Sequence, residues 1–539
     1  MDVIEVTELT RPRGSRQATP AGSARSKRHP MRIAARTRAF WSVWRGAVCG
    51  LLCGVASGCT ASGADVQPPR DQLAFPTGMA AAPDESVLFV ANANSELRYD
   101  SGSLDVIDLG RVQGVIGAWT AHLKTAGVAC DSFPQNVAGD PMVQPPPAGS
   151  AALSCSCDSS NPETLICDEA YFLNQDAGIR IGNFATDLSI QDFTSGSSHS
   201  LRVFVPTRGD PSVAWADYDG AALHCAAGSA VYPLCDDAHR LISLNNDPNA
   251  AVLPDEPFSV FADVVPTTDP AGPSHGFAMI GHLASGAVTL IDAPADSSQV
   301  QITDILTGVF ADPLGTGALG ATTIAARRMP VPPAGPPPGP GEGVPELVPE
   351  ALYVASNGDN RVQLFDIGMR GGSAGYLLPG TFFVLDAVGN AAGSSSDTRG
   401  LKFSSDFNRL YLVNREPPSL QIYDTSLGAA GMPSNTLLGS SDVCREATAA
   451  AVAGSGLDER VYLTCFQDGQ IYVVNPFGLS QVEDIISVGR GPYAAVTVAG
   501  RKQLFVSNFL EDTVAAIDID PTSATHDRVV LRIGTPRVP

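Results

Sequence analysis

Beyond residue 58 the chain carries seven histidines, the residues best suited to metal ligation or proton transfer near neutral pH: His122, His199, His224, His239, His275, His282 and His526. No two form a His-x-x-x-His or comparable ligand spacing. His275 and His282 lie seven apart in one apolar stretch, which on a strand turns them to opposite faces. Satisfied loop histidines are therefore the expectation, with no metal site. Asp217-Tyr-Asp-Gly220 opens like a calcium loop but lacks the third acidic position and the distal Glu, so a strand-end turn is expected. Arg208-Gly-Asp210 matches a tripeptide read by some adhesion receptors, and three residues are too few to outweigh an ordinary turn. Five further aspartates, Asp108, Asp292, Asp366, Asp424 and Asp518, each end an apolar run. Their regular recurrence marks turn residues, since a catalytic acid would be needed once. No Gly-x-Ser-x-Gly, phosphate loop or Cys-x-x-Cys-His occurs, and no catalytic residue or cofactor is expected.

The first 58 residues are an address. Met31-Arg-Ile-Ala-Ala-Arg-Thr-Arg38 precedes an apolar stretch from about Phe40 to Val55, then Ala56-Ser57-Gly58-Cys59. A positive start, a short apolar run and small residues before a cut make a secretory signal, and Met31 opens a better-proportioned one than Met1. The run falls short of the roughly 20 residues that a membrane-spanning helix needs. The cysteine after small residues resembles the lipobox of bacterial lipoproteins, although Ala56 stands where that family favours Leu. The resemblance implies cleavage before Cys59, acylation of Cys59 and a tether over residues 59–72. Thr60 in place of Asp implies, by the sorting rule of enteric bacteria, an outer-membrane lipoprotein facing the periplasm or the cell surface.

Eight cysteines remain in the exported body: Cys130, Cys155, Cys157, Cys167, Cys225, Cys235, Cys444 and Cys465. An even number in an oxidising compartment reads as disulfides. Cys225 and Cys235 flank a short loop, and Cys444 and Cys465 fall on neighbouring strands, so both are candidate pairs. The other four cluster in one segment, and their connectivity is not legible. A metal site at Cys155-Ser-Cys157 with Cys167 is the rival, but it lacks the second close-spaced pair.

The net charge of −22 is unevenly spread. Residues 1–58 hold ten Lys/Arg against three Asp/Glu, whereas the remainder holds 24 against 53. An acidic body without a basic stripe excludes nucleic acid as a partner. With 53 Gly and 42 Pro beside 44% hydrophobic residues, the chain suits many short strands joined by turns.

Those strands repeat. Leu352-Tyr-Val-Ala-Ser-Asn357, a Gly-Asp turn and Arg361-Val-Gln-Leu-Phe-Asp366 form the cleanest copy, and Leu504-Phe-Val-Ser-Asn508 with Val514-Ala-Ala-Ile-Asp518 another. The central residues of the copies are Phe89, Phe204, Met279, Tyr353, Tyr411, Tyr462 and Phe505, and the last three gaps are 58, 51 and 43 residues. That spacing is the length of a four-stranded propeller blade. Val488-Gly-Arg-Gly-Pro-Tyr493 ahead of the last copy resembles the opening of the YVTN-type β-propeller repeat. The resemblance spans about residues 73–535, and it implies an all-β, seven-bladed propeller, the count good to within one. Residues 73–539 should thus form a single propeller with insertions at about 110–178 and 330–346, the second an extended proline-rich loop. Asp527-Arg-Val-Val-Leu-Arg-Ile-Gly-Thr-Pro536 copies the opening strand, which the first unit lacks. The C-terminal strand is accordingly expected to complete the first blade.

A fold of this kind does not dictate function. The expectation is a lipid-anchored binding or assembly platform, its partners the membrane and an envelope protein or small ligand. The alternative is a periplasmic propeller enzyme, lactonase-like or dehydrogenase-like, with a site at the channel mouth.

Overall fold

Each phrase of the Leu-Tyr-Val kind forms the second strand of a four-stranded antiparallel blade, and there are seven blades. Such a strand has neighbours on both edges and blades against both faces, so it reads as a continuous apolar run instead of alternating. Phe89, Phe204, Met279, Tyr353, Tyr411, Tyr462 and Phe505 sit one per blade on these strands, each at most 2% exposed. The computed structural model describes residues 65–126, 137–146, 151–193, 200–228, 230–265, 275–310, 319–329, 347–385, 396–478 and 481–537. The leader and Cys59, and likewise Cys130, His199 and the proline-rich 330–346, lie outside the described residues.

Inner strands line the channel: Pro76–Ala81, Ser189–Asp192, Pro257–Val265, Ala321–Arg328, Asp397–Phe403, Ala447–Ala453 and Pro492–Val498 for blades 1 to 7. Small residues dominate several of them, as at Ala447-Thr-Ala-Ala-Ala451, and this lets seven strands converge on one axis. Apolar clusters fill the wedges between blades, such as Tyr462, Ile471 and Val473 of blade 6 against Leu504, Val506 and Ile517 of blade 7.

The ring closes differently from the sequence expectation. The C-terminal strand Arg528–Ile533 pairs with Thr513–Asp518 and is the outer strand of blade 7 itself. Blade 1 takes its outer strand, Ile179–Ile181, from beyond its own insertion. The repeat had been read one strand out of phase. The strand before each Gly-Pro turn, such as Gln481–Ser487, finishes the preceding blade, so nothing is left over for blade 1.

Closure comes from the insertion instead. Its helix, Leu109–Ala126, buries Val112, Val115 and Trp119, and the Trp119 Nε1–H donates to the Glu163 carbonyl at 2.8 Å. Farther on, Leu165–Cys167 pairs in parallel with Arg528–Ile533, and Cys155–Cys157 pairs with Leu165–Cys167. The excursion from blade 1 thus covers the edge that blade 7 would otherwise expose. At the seam, the Phe75 N–H donates to Asp512 Oδ1 at 2.7 Å and the Ser507 hydroxyl to the Thr77 carbonyl at 2.9 Å.

Disulfides join Cys225 to Cys235 and Cys444 to Cys465, the two pairs singled out by spacing. A third joins Cys155 to Cys167 inside the insertion, and Cys157 is also disulfide-bonded. No helix among the described residues is long and apolar enough to cross a membrane.

Candidate functional site

One position of the repeat separates the blades into two groups. Near the start of each inner strand one residue pairs with the last residues of the second strand: Pro76 with Asn92, Ala185 with Thr207, Pro257 with His282, Ala321 with Ser356, Thr398 with Asn414, Ala447 with Cys465, and Pro492 with Asn508. In blades 1, 2, 4 and 6 the following residue is threonine. Thr77 donates to the Ala185 carbonyl at 3.0 Å, Thr186 to Phe258 at 2.6 Å, Thr322 to Thr398, and Thr448 to Tyr493 at 3.0 Å. Each hydroxyl therefore ties its blade to the inner strand of the next, a collar of hydrogen bonds around the channel.

Blades 3, 5 and 7 place Phe258, Arg399 and Tyr493 at that position. These side chains do not make that threonine bond, and two of them, Arg399 and Phe258, meet across the channel. The Arg399 guanidinium carbon reaches 5.7 Å from the Phe258 ring centroid, two blades away. Arg208, from the loop after the second strand of blade 2, approaches the same ring at 6.0 Å. Such contacts let a guanidinium lie on an aromatic face without losing its outward N–H donors. Each arginine is also fixed by an acid: Arg208 to Glu256 at 2.9 Å, Arg399 to Asp397 at 2.6 Å, and Arg415 to Glu446 at 3.2 Å.

Asp187 follows the collar threonine of blade 2. Its carboxylate accepts from the Val260 N–H at 3.0 Å and its neighbour Leu188 N–H at 2.9 Å. Burial pushes its pKa up to about 6, while those two N–H groups and the Lys402 charge pull the other way. Tyr493 is pushed up to about 12, chiefly by burial and then by the Asp187 charge. Arg399, Arg208 and Arg415 act in the opposite sense.

Beside Tyr493 the mouth becomes aromatic. The Phe509 ring lies 6.1 Å from Tyr493, 5.3 Å from Phe75 and 6.2 Å from Phe466. Phe75 has φ 55°, a left-handed conformation that is costly for a bulky side chain and is held here by its N–H bond to Asp512.

The residues singled out from sequence have other duties. His282 is fully buried, with Nε2 2.9 Å from Thr289 Oγ1, and burial lowers its pKa to about 4. His239 lies 2.7 Å from Asp236 and His224 3.0 Å from Asp219. His526 lies 3.5 Å from Asp527, His122 stacks on Trp119, and the His275 charge acts on Asp292. Among the described residues no three His, Cys, Asp or Glu converge as metal ligands. Asp219 accepts from the Ala221 and Ala222 N–H groups in a turn, while Asp217 pairs with Arg202 at 2.7 Å. In the Arg208-Gly-Asp210 stretch, Asp210 binds Arg240, so its two charges serve different neighbours.

Asp108, Asp424 and Asp518 accept from Arg111, Ser426 and Asp520 N–H groups just downstream, as turn residues do. Asp292 instead accepts the Ala374 N–H of blade 4, and burial raises the pKa of Asp366. Phe258, Asp187, Arg399 and Tyr493 were not recognised from sequence. The available signal was their departure from threonine, or its neighbour, at equivalent points of the repeat.

No family model matches the chain, and no curated protein matches it. Among solved structures it is similar to the hydrazine synthase of Kuenenia stuttgartiensis, at 10% identity and TM-score 0.43, over 83% of this chain and 96% of that one. It is also similar to the periplasmic gluconolactonase of Pseudomonas aeruginosa, at 14% identity and TM-score 0.38, over 86% of both chains. The Dos1 propeller gives 10% identity and TM-score 0.42, over 85% of this chain and 86% of that one. Likenesses this distant carry no activity across. The sheets themselves establish that this chain is an all-β, seven-bladed propeller.

Proposed function

We propose that the chain is a ligand-binding propeller of the bacterial cell envelope, built from YVTN-type repeats, lipid-anchored through Cys59 and loaded at the channel mouth. The observation that carries this reading is the collar position, where three of seven blades replace the bridging threonine by Phe258, Arg399 and Tyr493. A repeat kept only for rigidity has no reason to replace the bridging threonine in three blades, and at blade 7 the Ser507 hydroxyl has to span the seam in its place. The lipobox-like segment at Cys59 and the disulfides support the envelope location. A photo-cross-linking residue replacing exposed Leu510 at the mouth should give a discrete adduct in living cells and partition with the membranes. The same residue replacing Leu438, on the outer strand of blade 5, should give none. Equal adducts from both positions, or none from Leu510, would remove the reading.

Catalysis at the same mouth, lactone hydrolysis included, has one observation in its favour: Asp187 titrates near 6 among residues that could orient a substrate. That reading requires a lactone-hydrolysing activity in the full chain that Asp187→Asn abolishes. Hydrolysis no faster than in buffer rejects it.

A further inference from the structure

We propose that the ligand of the channel mouth is an organic anion, a carboxylate or phosphate ester carried on a flat apolar body; this rests on the reading of the mouth as the binding site. The guanidinium groups of Arg208 and Arg399, from two blades, converge on the one Phe258 ring at 6.0 and 5.7 Å, and Arg415 and Asp187 join them among the charges that act on the Tyr493 side chain. Each of these arginines is already paired with one acid, so what the cluster offers an anion is directed N–H donors and not an excess of positive charge. Repulsion from distant acids fades beyond about 8 Å at physiological salt, so the local cluster decides what is held there.

The three acids Glu256, Asp397 and Glu446 do not consume this capacity. A guanidinium has five N–H donors in a planar fork, and one carboxylate occupies at most one edge. Arg208 shows the remainder directly: Nη2 donates to Glu256, while the buried Nε has no hydrogen-bond acceptor. The acids thus hold the forks in orientation, as supporting groups do in a site that must be rigid before its ligand arrives.

The flat apolar body follows from the other arc. Phe258, Tyr493, Phe509 and Phe75 are half-buried or nearly buried around the mouth, with Phe509 in ring contact with both Tyr493 and Phe75. Rings held this way offer faces and edges to a planar group at little cost in side-chain entropy.

Phenyl phosphate and benzoate test the anion, inorganic phosphate the need for the apolar body, and benzyl alcohol the need for charge. Each is titrated calorimetrically into the full chain and into Arg399→Gln, Arg208→Gln, Arg415→Gln and Tyr493→Ala variants. At least one aromatic anion is expected to bind, inorganic phosphate more weakly and benzyl alcohol not at all. Arg399→Gln or Arg208→Gln should weaken the anion by about tenfold or more with the melting temperature preserved. If either variant fails to fold, Arg415→Gln, on a side chain one-third exposed, provides the same readout. Anion binding undiminished in every arginine variant that folds overturns the inference. If benzyl alcohol binds as well as the anions and Tyr493→Ala removes it, the mouth remains a binding site and the anion inference fails alone. If no probe binds, both fall.

Discussion

A chain ending at His526 should not fold cooperatively. Truncation there removes Arg528–Ile533, which is hydrogen-bonded on one edge to Thr513–Asp518 and on the other to Leu165–Cys167. Val529, Val530, Leu531 and Ile533 are at most 2% exposed and pack with Phe505, Val514 and Trp119 or with Leu504 and Ile517. Four buried aliphatic side chains correspond to roughly 6–12 kcal/mol at 1.5–3 each, against a total stability of about 5–15 kcal/mol for a typical protein. The truncation also strands the insertion, because Thr164 donates to the Val529 carbonyl at 2.8 Å and Arg528 pairs with Glu163 at 2.6 Å. Calorimetry should show no cooperative melt for the truncated chain, or one displaced far downward. A melt coincident with that of the full chain would mean that the C-terminal strand is not integral to blade 7.

That strand also shows where sequence reading stops. The second and third strands of each blade were legible because they are buried on both faces, so apolar runs such as Leu352-Tyr-Val-Ala355 can hardly be anything else. The outer strands are half exposed, as Gln481–Ser487 is, and their pattern does not say whether they close the blade before or the blade after. The choice depends on which edge the Gly-Pro turn leaves open, a tertiary fact, and the reading went one strand out of phase.

The candidate site was hidden for a related reason. Tyr493 stands inside the recognised Gly-Arg-Gly-Pro-Tyr phrase, yet neither it nor Arg399 forms a motif alone. Their chemistry arises because closing the ring brings Arg399 onto Phe258, 141 positions away in sequence and two blades around the channel. Only a comparison of equivalent collar positions would have exposed them. The cysteine-rich insertion was illegible in another sense: Cys155 pairs with Cys167 because two short strands lie side by side, and those strands exist only against blade 7.

Asp217→Asn should destabilise the propeller by about 2–4 kcal/mol, less than a fully buried pair would give because Asp217 is itself partly solvated. Its partner Arg202 has a side chain only 1% exposed. Arg202 Nε and Nη2 donate to the two Asp217 oxygens at 2.7 and 3.1 Å, and Nη1 donates to the Pro294 carbonyl of blade 3 at 2.6 Å. The guanidinium carbon is 4.9 Å from the Trp215 ring and 5.4 Å from Phe193, so no bulk water replaces the carboxylate when its charge is removed. The amide keeps the shape and one acceptor but leaves a cation in an apolar wedge, which isolates the electrostatic part of the loss. Arg202→Met combined with Asp217→Asn should recover most of the stability, because an apolar side chain of similar length suits a site that is otherwise aromatic. Urea unfolding of the two variants, with adherence to a single transition checked by two probes, reads both numbers. A single variant within about 0.5 kcal/mol of the parent would show the pair to be solvated. A double variant no better than the single one would show that Arg202 is needed for its bond to blade 3 rather than compensated by Asp217.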